Sequence, residues 1–429
     1  MSTEKTTQIG GYLLNYIHLH SFSSESPVDI TDLMVKIDVY ESISSPFMSL
    51  DISIMDNIGL IDKLPIIGEE LITIDLRDQA NVGGLNTYTC FLYKLSDREQ
   101  ISDRGFVYTL KCLSLECLAD MNIKIPKSFS GNPSDLVKSI LSKTGSLMTE
   151  KTLVLGESVG NISYISNYWS PSQNIRYIME RAISKKQRSP SFVFFENMDY
   201  FVFDAIDNLV DKPASATYFF TINPKTRNVS EVSNILGDTS FDNRQSIVEN
   251  MWVDDTFDYI NRVSSGALGA RTLRVDPFKK EYLYDLYDFT DSFKEYNRLN
   301  KSPLGTNNAV RKLNSVFRTK VTPSSSFNGM VDDSSDVWFR KRLTEISSIQ
   351  SQTIQIDVPG RMGILTGQVV EFVMFSGHIP DGESVDTTFL STADRVFSGR
   401  YLVTGIHHTF DRERHSMSLK LNKESLISK

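Results

Sequence analysis

Cysteine is scarce in this chain of 429 residues: there are three, Cys90, Cys112 and Cys117. An odd count without a CxxC pair argues against a disulfide framework and predicts three small buried hydrophobes. No run of eighteen consecutive apolar residues occurs, so no membrane-spanning helix is expected. The opening residues, Met1 to Gln8, lack the apolar segment of a secretory leader, and the expectation is a soluble protein made in a cytoplasm with no stable membrane association. Long runs of Lys or Arg are missing as well. With 45 basic against 53 acidic residues the formal charge is −8, whereas a protein that grips a phosphate backbone needs clustered cations to displace counterions.

Aromatic side chains are abundant, 25 Phe and 17 Tyr, a bias toward strands and aromatic-anchored interfaces. The length allows two or three domains, each with its own core. Period-two alternation places Val35, Ile37 and Val39 on one face of a strand, then Ile52 with Ile54, then Ile72, Ile74 and Leu76. Segments near 88–95 and 106–112 read as a hairpin with a long polar tip at 97–104. After Pro126 the period changes to about 3.6. Pro133 and Gly145 bracket a short helix, and Ser170-Pro-Ser-Gln173 opens a second with capping-box spacing. Residues 191–203 then read as two apolar strands about a Glu196–Asp199 turn. From 213 to 350 the pattern is irregular: polar segments at 223–228 and 303–308, a Ser-rich piece at 323–326, and a helix at 335–348. Alternation returns at Ile354, Ile356 and Val358 and runs to the end. These signals predict a mainly β chain with α+β insertions, divided as a first β-domain (1–120), a small α/β domain (121–212), a peripheral region that partly joins the second β-domain (213–350), and the main part of that domain (351–429).

The two β-rich ends share short matches in the same order. Ile37-Asp-Val39 returns as Ile356-Asp-Val358, Gly68 as Gly367, Asp97-Arg-Glu99 as Asp411-Arg-Glu413, and Leu110-Lys111 as Leu419-Lys420. A duplicated β-domain is the expectation. Three chains would then present six like modules, a pseudo-sixfold ring made by a trimer.

Several patterns with chemical meaning occur, each with a plainer reading. His18 and His20 share a strand face, but no third ligand accompanies them. His407-His408 lies near Asp411, yet adjacent strand residues point to opposite faces. Gly156-Glu-Ser-Val-Gly160 fits GxSxG without the helix and oxyanion segment that a nucleophile elbow requires. Glu69-Glu70 and Asp254-Asp255 read as solvated or loop charges rather than a sugar-cleaving pair. Gly266–Gly269 lacks the Lys-Ser/Thr of a phosphate loop. No catalytic, cofactor-binding or metal-ligating residue is assigned. Ser45-Pro46-Phe47 reads either as a turn with a buried aromatic or as a loop that shapes a contact to another subunit or to a tube.

The run Val39-Tyr-Glu-Ser-Ile-Ser-Ser-Pro-Phe-Met48, with Asp56-Asn-Ile-Gly-Leu-Ile61 and Leu64-Pro-Ile-Ile-Gly-Glu-Glu-Leu71, resembles the N-terminal signature of the baseplate hub subunit of T-even-type myophages. Residues 174–181 with 192–201, and the C-terminal 358–370 with 399–408, resemble later parts of the same family, which is related to the N-terminal module of type VI secretion spike proteins. The resemblance implies two tail-tube-like β-barrels per subunit and a homotrimeric ring. It further implies the central spike on one face, the tail tube or tube-initiator proteins on the other, and surrounding wedge proteins. DNA would pass through the lumen only in transit, and the protein would sit in the virion tail baseplate. Residues 376–398 depart from the pattern as a long loop. Two other classes are carried beside it: a peripheral receptor- or glycan-binding tail protein, and a peptidoglycan hydrolase.

Overall fold

The computed structural model of the chain describes residues 9–21, 24, 26–64, 66–78, 86–102, 105–220, 245–277, 280–302, 316–321, 335–374 and 393–426. The polar segments 223–228 and 303–308, the Ser-rich piece and most of the 376–398 loop lie outside the described residues.

Alternating sequence produces alternating burial. Ile37 and Val39 on one strand and Ile52 and Ile54 on the next face inward at 1% exposure or less. The N-terminal part contributes β1 (Tyr12–His20), β2 (Val28–Asp29), β3 (Met34–Ser42), β4 (Ser49–Asp56), β5 (Leu71–Asp78), β6 (Asn86–Ser102) and β7 (Gly105–Ser114), with the one-turn α1 (Leu60–Lys63) before β5. The expected polar tip at 97–104 is mostly strand, because β6 and β7 stay paired as far as Ser102 opposite Gly105.

A smaller unit follows: α2 (Leu115–Asn122), β8 (Ser128–Gly131), α3 (Pro133–Leu141), β9 (Thr152–Leu155), β10 (Ser158–Val159), β11 (Ile162–Ile165), α4 (Pro171–Arg181), β12 (Ile183–Ser184), β13 (Phe192–Glu196), β14 (Tyr200–Ala205) and α5 (Ile206–Val210). The Ser170 side chain accepts from Gln173 N–H while Gln173 reaches back to the Ser170 N–H, the reciprocal cap that its spacing predicts. Glu196 is the last residue of β13, opposite Phe201, rather than part of the turn.

The rest of the chain gives β15 (Ala216–Phe220), β16 (Asn250–Thr256), α6 (Tyr259–Ser265), β17 (Gly269–Asp276), β18 (Glu281–Asp288), β19 (Val316–Val321), α7 (Ser335–Ser348), β20 (Gln352–Pro359), β21 (Val369–Met374), β22 (Gly399–Asp411) and β23 (His415–Lys423). Strands β17 to β19 form a separate sheet under α7. Arg342 of α7 donates to the carbonyls of Met179, Pro190 and Phe192, which ties this layer to the smaller unit.

The mainly β class holds. Strands from both ends of the chain enter one 13-stranded sheet, with the order β16-β20-β23-β22-β3-β4-β7-β6-β5-β1-β2 and β21 and β15 on a branch from β22. Within it the same five-strand order occurs twice, β3-β4-β7-β6-β5 and β16-β20-β23-β22-β21, with every pairing antiparallel. Register makes the match residue by residue: Ile52 lies opposite Leu110, and Ile356 opposite Leu419. The Leu-Lys and Gly matches seen in the sequence survive this test, and Gly68 and Gly367 share φ near +88° and +87°. The Ile-Asp-Val match does not, because Ile37 lies on β3 whereas Ile356 lies on β20, the counterpart of β4.

Each half has a core, one around Ile52, Leu110 and Cys112 that Met362, Leu365 and Phe410 of the other half also enter, and one around Ile356, Leu419 and Tyr401. Each also curls on itself. Val28 and Ile30, before β3, bond to β1, and residues 246–248, before β16, bond to Phe219 of β15. These are bridges of one or two residues, and no continuous ladder closes either curl among the described residues.

Gly367 tests the packing between the halves and the smaller unit. Its φ favours glycine, and a Cβ there would stand 2.5 Å from Phe195 Cζ. Gly367→Ala is expected to lower stability by about 2 kcal/mol or more, read as a drop in calorimetric melting temperature. Gly363→Ala, with nothing within 4 Å of its Cβ, should leave the melting temperature unchanged.

Candidate functional site: the strand joint between the two halves

The two halves meet edge to edge. β22 pairs with β3 from Gly405 opposite Ser42 to Asp411 opposite Lys36. Across the ladder His407 Nε2 lies 2.6 Å from Asp38 Oδ1, Thr409 Oγ1 donates to the same oxygen at 3.0 Å, and Lys36 holds Oδ2 at 2.8 Å. Burial pushes the Asp38 carboxyl upward, but the bonds from His407, Lys36 and Thr409 and the Lys36 charge outweigh it and hold it below the usual range. The His407 ring stacks on Tyr40 with centroids 4.4 Å apart.

One residue along, Glu41 points into the protein. Its carboxylate accepts from Met198 N–H at 2.7 Å and Thr366 N–H at 3.2 Å, so one side chain of β3 touches both the smaller unit and the C-terminal half. Burial raises its pKa to about 7, against those hydrogen bonds. Nearby, Glu196 accepts from Met48 N–H and pairs with Lys151 Nζ at 2.7 Å. Its carboxyl is also raised, burial prevailing over Lys151. Lys151 further donates to Asn197 O at 3.2 Å. An apolar cluster of Val193, Phe195, Val369 and Leu402 packs beside these charges.

The far end of the joint is aromatic. Phe410 meets Tyr12 edge-on at 5.2 Å and stacks on His415 at 4.0 Å. His408 Nδ1 lies 3.1 Å from His415 Nε2, and burial depresses both rings, His408 to about 3, so the pair is neutral. His415 N–H donates to Gly10 O at 2.8 Å, which holds the start of the chain against the β22–β23 turn.

The other sequence candidates do not gather here. Ser45 and Pro46 are half-buried in the β3–β4 loop, and the Phe47 ring meets Phe201 edge-on at 6.4 Å, inside the chain. Ser158 of the GxSxG match donates to Asn132 Oδ1 at 2.5 Å and bonds Ser134, so its hydroxyl serves the cap of α3. His18 stacks on Tyr16, His20 bonds Thr73, and no group of three metal-ligating side chains converges among the described residues. Asp254 lies 3.8 Å from Lys420. Of the two readings of Glu70, solvated or loop charge, the second fits: it is 1% exposed and gathers the N–H groups of Ile67, Gly68 and Glu69 in the loop before β5. All three cysteines are buried and free. The sequence reading passed over Glu41 and Glu196, although the strand period puts each on the inward face, after Ile37 and Val39 and after Phe192 and Phe194.

No family model matches the chain. It is similar to the "Probable baseplate hub protein gp334" of Vibrio phage KVP40, 20% identical over 98% of this chain and 96% of that one. The resemblance to baseplate hub proteins of T-even-type phages therefore extends over nearly the whole length. Two solved structures have a similar fold. One is the tail protein from Neisseria meningitidis MC58, with TM-score 0.50 and 13% identity over 96% of this chain and 97% of that one. The other is the 43 kDa tail protein of prophage MuSo2 from Shewanella oneidensis, with TM-score 0.51 and 9% identity over 95% and 98%.

Glu41 gives the joint a pH signature. A carboxyl whose pKa rises from about 4.5 to about 7 on folding binds more protons folded than unfolded in that window, so its contribution to stability is full below pH 4.5 and is lost as pH rises toward 7. The loss is on the order of 3 kcal/mol. The His408–His415 pair acts oppositely, losing stability as pH falls below about 6.5. Glu41→Gln should remove the first slope and leave the second, so the difference in stability between variant and parent should grow in the variant's favour from pH 5 to 7.5 in urea unfolding.

Proposed function

We propose that the chain is a structural baseplate hub protein without enzymatic activity, assembled as a homotrimeric ring of pseudo-sixfold symmetry in a virion tail. The observation that carries this reading is the doubled strand order. Two sets of strands, alike in sequence of pairing and in sense, stand side by side in one sheet, so one chain already holds two successive modules of a repeating wall. Three such chains make six modules, which matches a threefold object on one side to a sixfold object on the other.

In this reading the two curled halves, with residues 1–120 as the first and 351–429 as the main part of the second, are tail-tube-like barrels whose walls surround a lumen. The units at 121–212 and within 213–350 lie outside that wall. The threefold face holds the central spike, the sixfold face receives the tail tube or a tube initiator, and wedge proteins surround the rim. Ser45, Pro46 and Phe47 of the β3–β4 loop, all partly exposed, contribute to a subunit or tube contact. A net charge of −8 per chain suits a lumen through which DNA slides without being gripped, since like charges repel.

The full chain at micromolar concentration is expected to have the mass of three copies in solution, and averaged images should show a threefold ring with a six-lobed outline. A monomer at every concentration tested rejects the ring. Co-purification with the spike and tube proteins of the same particle is expected. Clearing of purified cell wall in a zymogram would favour a hydrolase, and specific retention on a glycan array would favour a receptor-binding subunit.

A further inference from the structure

The joint inside the chain brings together one edge of β22 and one edge of β3. Their counterparts in the other halves are β6 and β16, and both of those have the matching edge unpaired among the described residues.

β6 matches β22 in register up to Ser96; beyond it β6 shifts again between Ser96 and Glu99, where β22 does not. Against its hairpin partner each strand shifts register by one residue at the same point, between Leu92 and Lys94 in β6 and between Val403 and Gly405 in β22. On the opposite edge each first meets the strand that follows a positive-φ glycine: Leu92 N–H donates to Glu70 O at 2.8 Å, and Val403 N–H to Gln368 O at 2.9 Å. Beyond that point β22 is covered by β3. β6 runs on from Tyr93 to Ser102 with its backbone edge open, and Tyr93 and Ile101 are 45% and 61% exposed. β16 corresponds to β3, since Met251 lies opposite Ile356 as Ile37 lies opposite Ile52. Its outer edge ends the 13-stranded sheet, with Trp252 and Val253 48% and 46% exposed. Long edges with exposed apolar side chains invite strand addition, and folded proteins leave them so where a partner strand arrives.

We infer that β16 of one copy pairs antiparallel with the Tyr93–Ser102 part of β6 in a second copy, repeating between copies the β22–β3 ladder found within one. This rests on the ring reading and names its contact. The internal register supplies the external one. Glu41 opposite Ile406 becomes Thr256 opposite Leu95, and Tyr40 opposite His407 becomes Asp255 opposite Ser96. Lys94 then lies diagonal to Asp255, a pairing of opposite charges in the part of the ladder where Asp38 meets His407 and Lys36 inside the chain. The two edges are different surfaces, so the contact is head-to-tail, and such a contact closes into a ring when internal and external joints turn by the same angle.

A full-length Ser96→Cys/Asp255→Cys double variant, oxidised with copper–phenanthroline, tests the register, because directly opposite residues bring Cβ atoms to about 5 Å and the native cysteines are buried. Covalent trimers with no larger species, dissolved by reductant, are expected on non-reducing gels. Neither single variant nor a Ser96→Cys/Tyr282→Cys pair should give them. Trp252→Lys, at an exposed side chain, should shift the mass toward the monomer with an unchanged melting curve for that monomer. A parent chain that is trimeric by mass while the double variant fails to cross-link overturns this joint and leaves the ring. A parent that stays monomeric overturns both.

Discussion

The backbone ladder between β22 and β3 is the contact that makes one object of the two halves. Each half has an apolar core, and Met362, Leu365 and Phe410 of the second half reach into that of the first, yet apolar contact alone would let the two bodies slip against each other. A strand pair does not allow that. Its hydrogen bonds fix distance, and the two-residue repeat of side chains fixes register, since a slip by one residue would turn every inward group outward. Asp38, bound from two strands, and Glu41, bound from two other parts of the chain, hold that register with charge.

The smaller unit locks the same place from behind. Glu41, Glu196 and Lys151 form a buried polar cluster in which most acceptors meet a donor, and such clusters contribute more to a single arrangement than to net stability, because desolvation offsets much of the attraction. Removing Glu41 leaves the N–H groups of Met198 and Thr366 without their acceptor, and removing Glu196 strips the charge partner from Lys151, which is costly. Gly367, pressed against Phe195, adds a steric limit. Arg342, Arg298 and Glu345 play a comparable part where α7 joins, with Arg298 paired to Glu345 at 2.7 Å and Tyr287 donating to the same carboxylate.

Much of this was legible in the sequence because it follows local rules. Alternation gave the strands, Ser170 and Gln173 gave the start of α4, and the Gly68/Gly367 and Leu-Lys matches gave the duplication. What was hidden is pairing between distant segments. The Ile-Asp-Val match misled because a strand motif of common residues has no memory of its neighbours, and β16, the true counterpart of β3, carries Met251-Trp-Val253 in its place. That part of 213–350 joins the second half was expected, but not which strands, for the same reason: residues 257–351, whose described part includes a sheet of its own, separate β16 from the strand it pairs with. Glu41 and Glu196 were visible in the strand period, yet a lone acid at the end of an apolar strand reads by default as the start of a turn.

The span of the joint along the chain also bears on how the molecule is made. Ser42 emerges from the ribosome more than three hundred residues before Gly405, its partner, and chains fold as they emerge, N-terminal portions first. Through most of translation the nascent protein therefore carries β3 with a bare backbone margin, the sort of surface on which unfinished copies stick to one another. The smaller unit, synthesised next, docks on Glu41 and Met48 beside that margin, so the part of the chain that braces the finished joint is made before the strand that completes it.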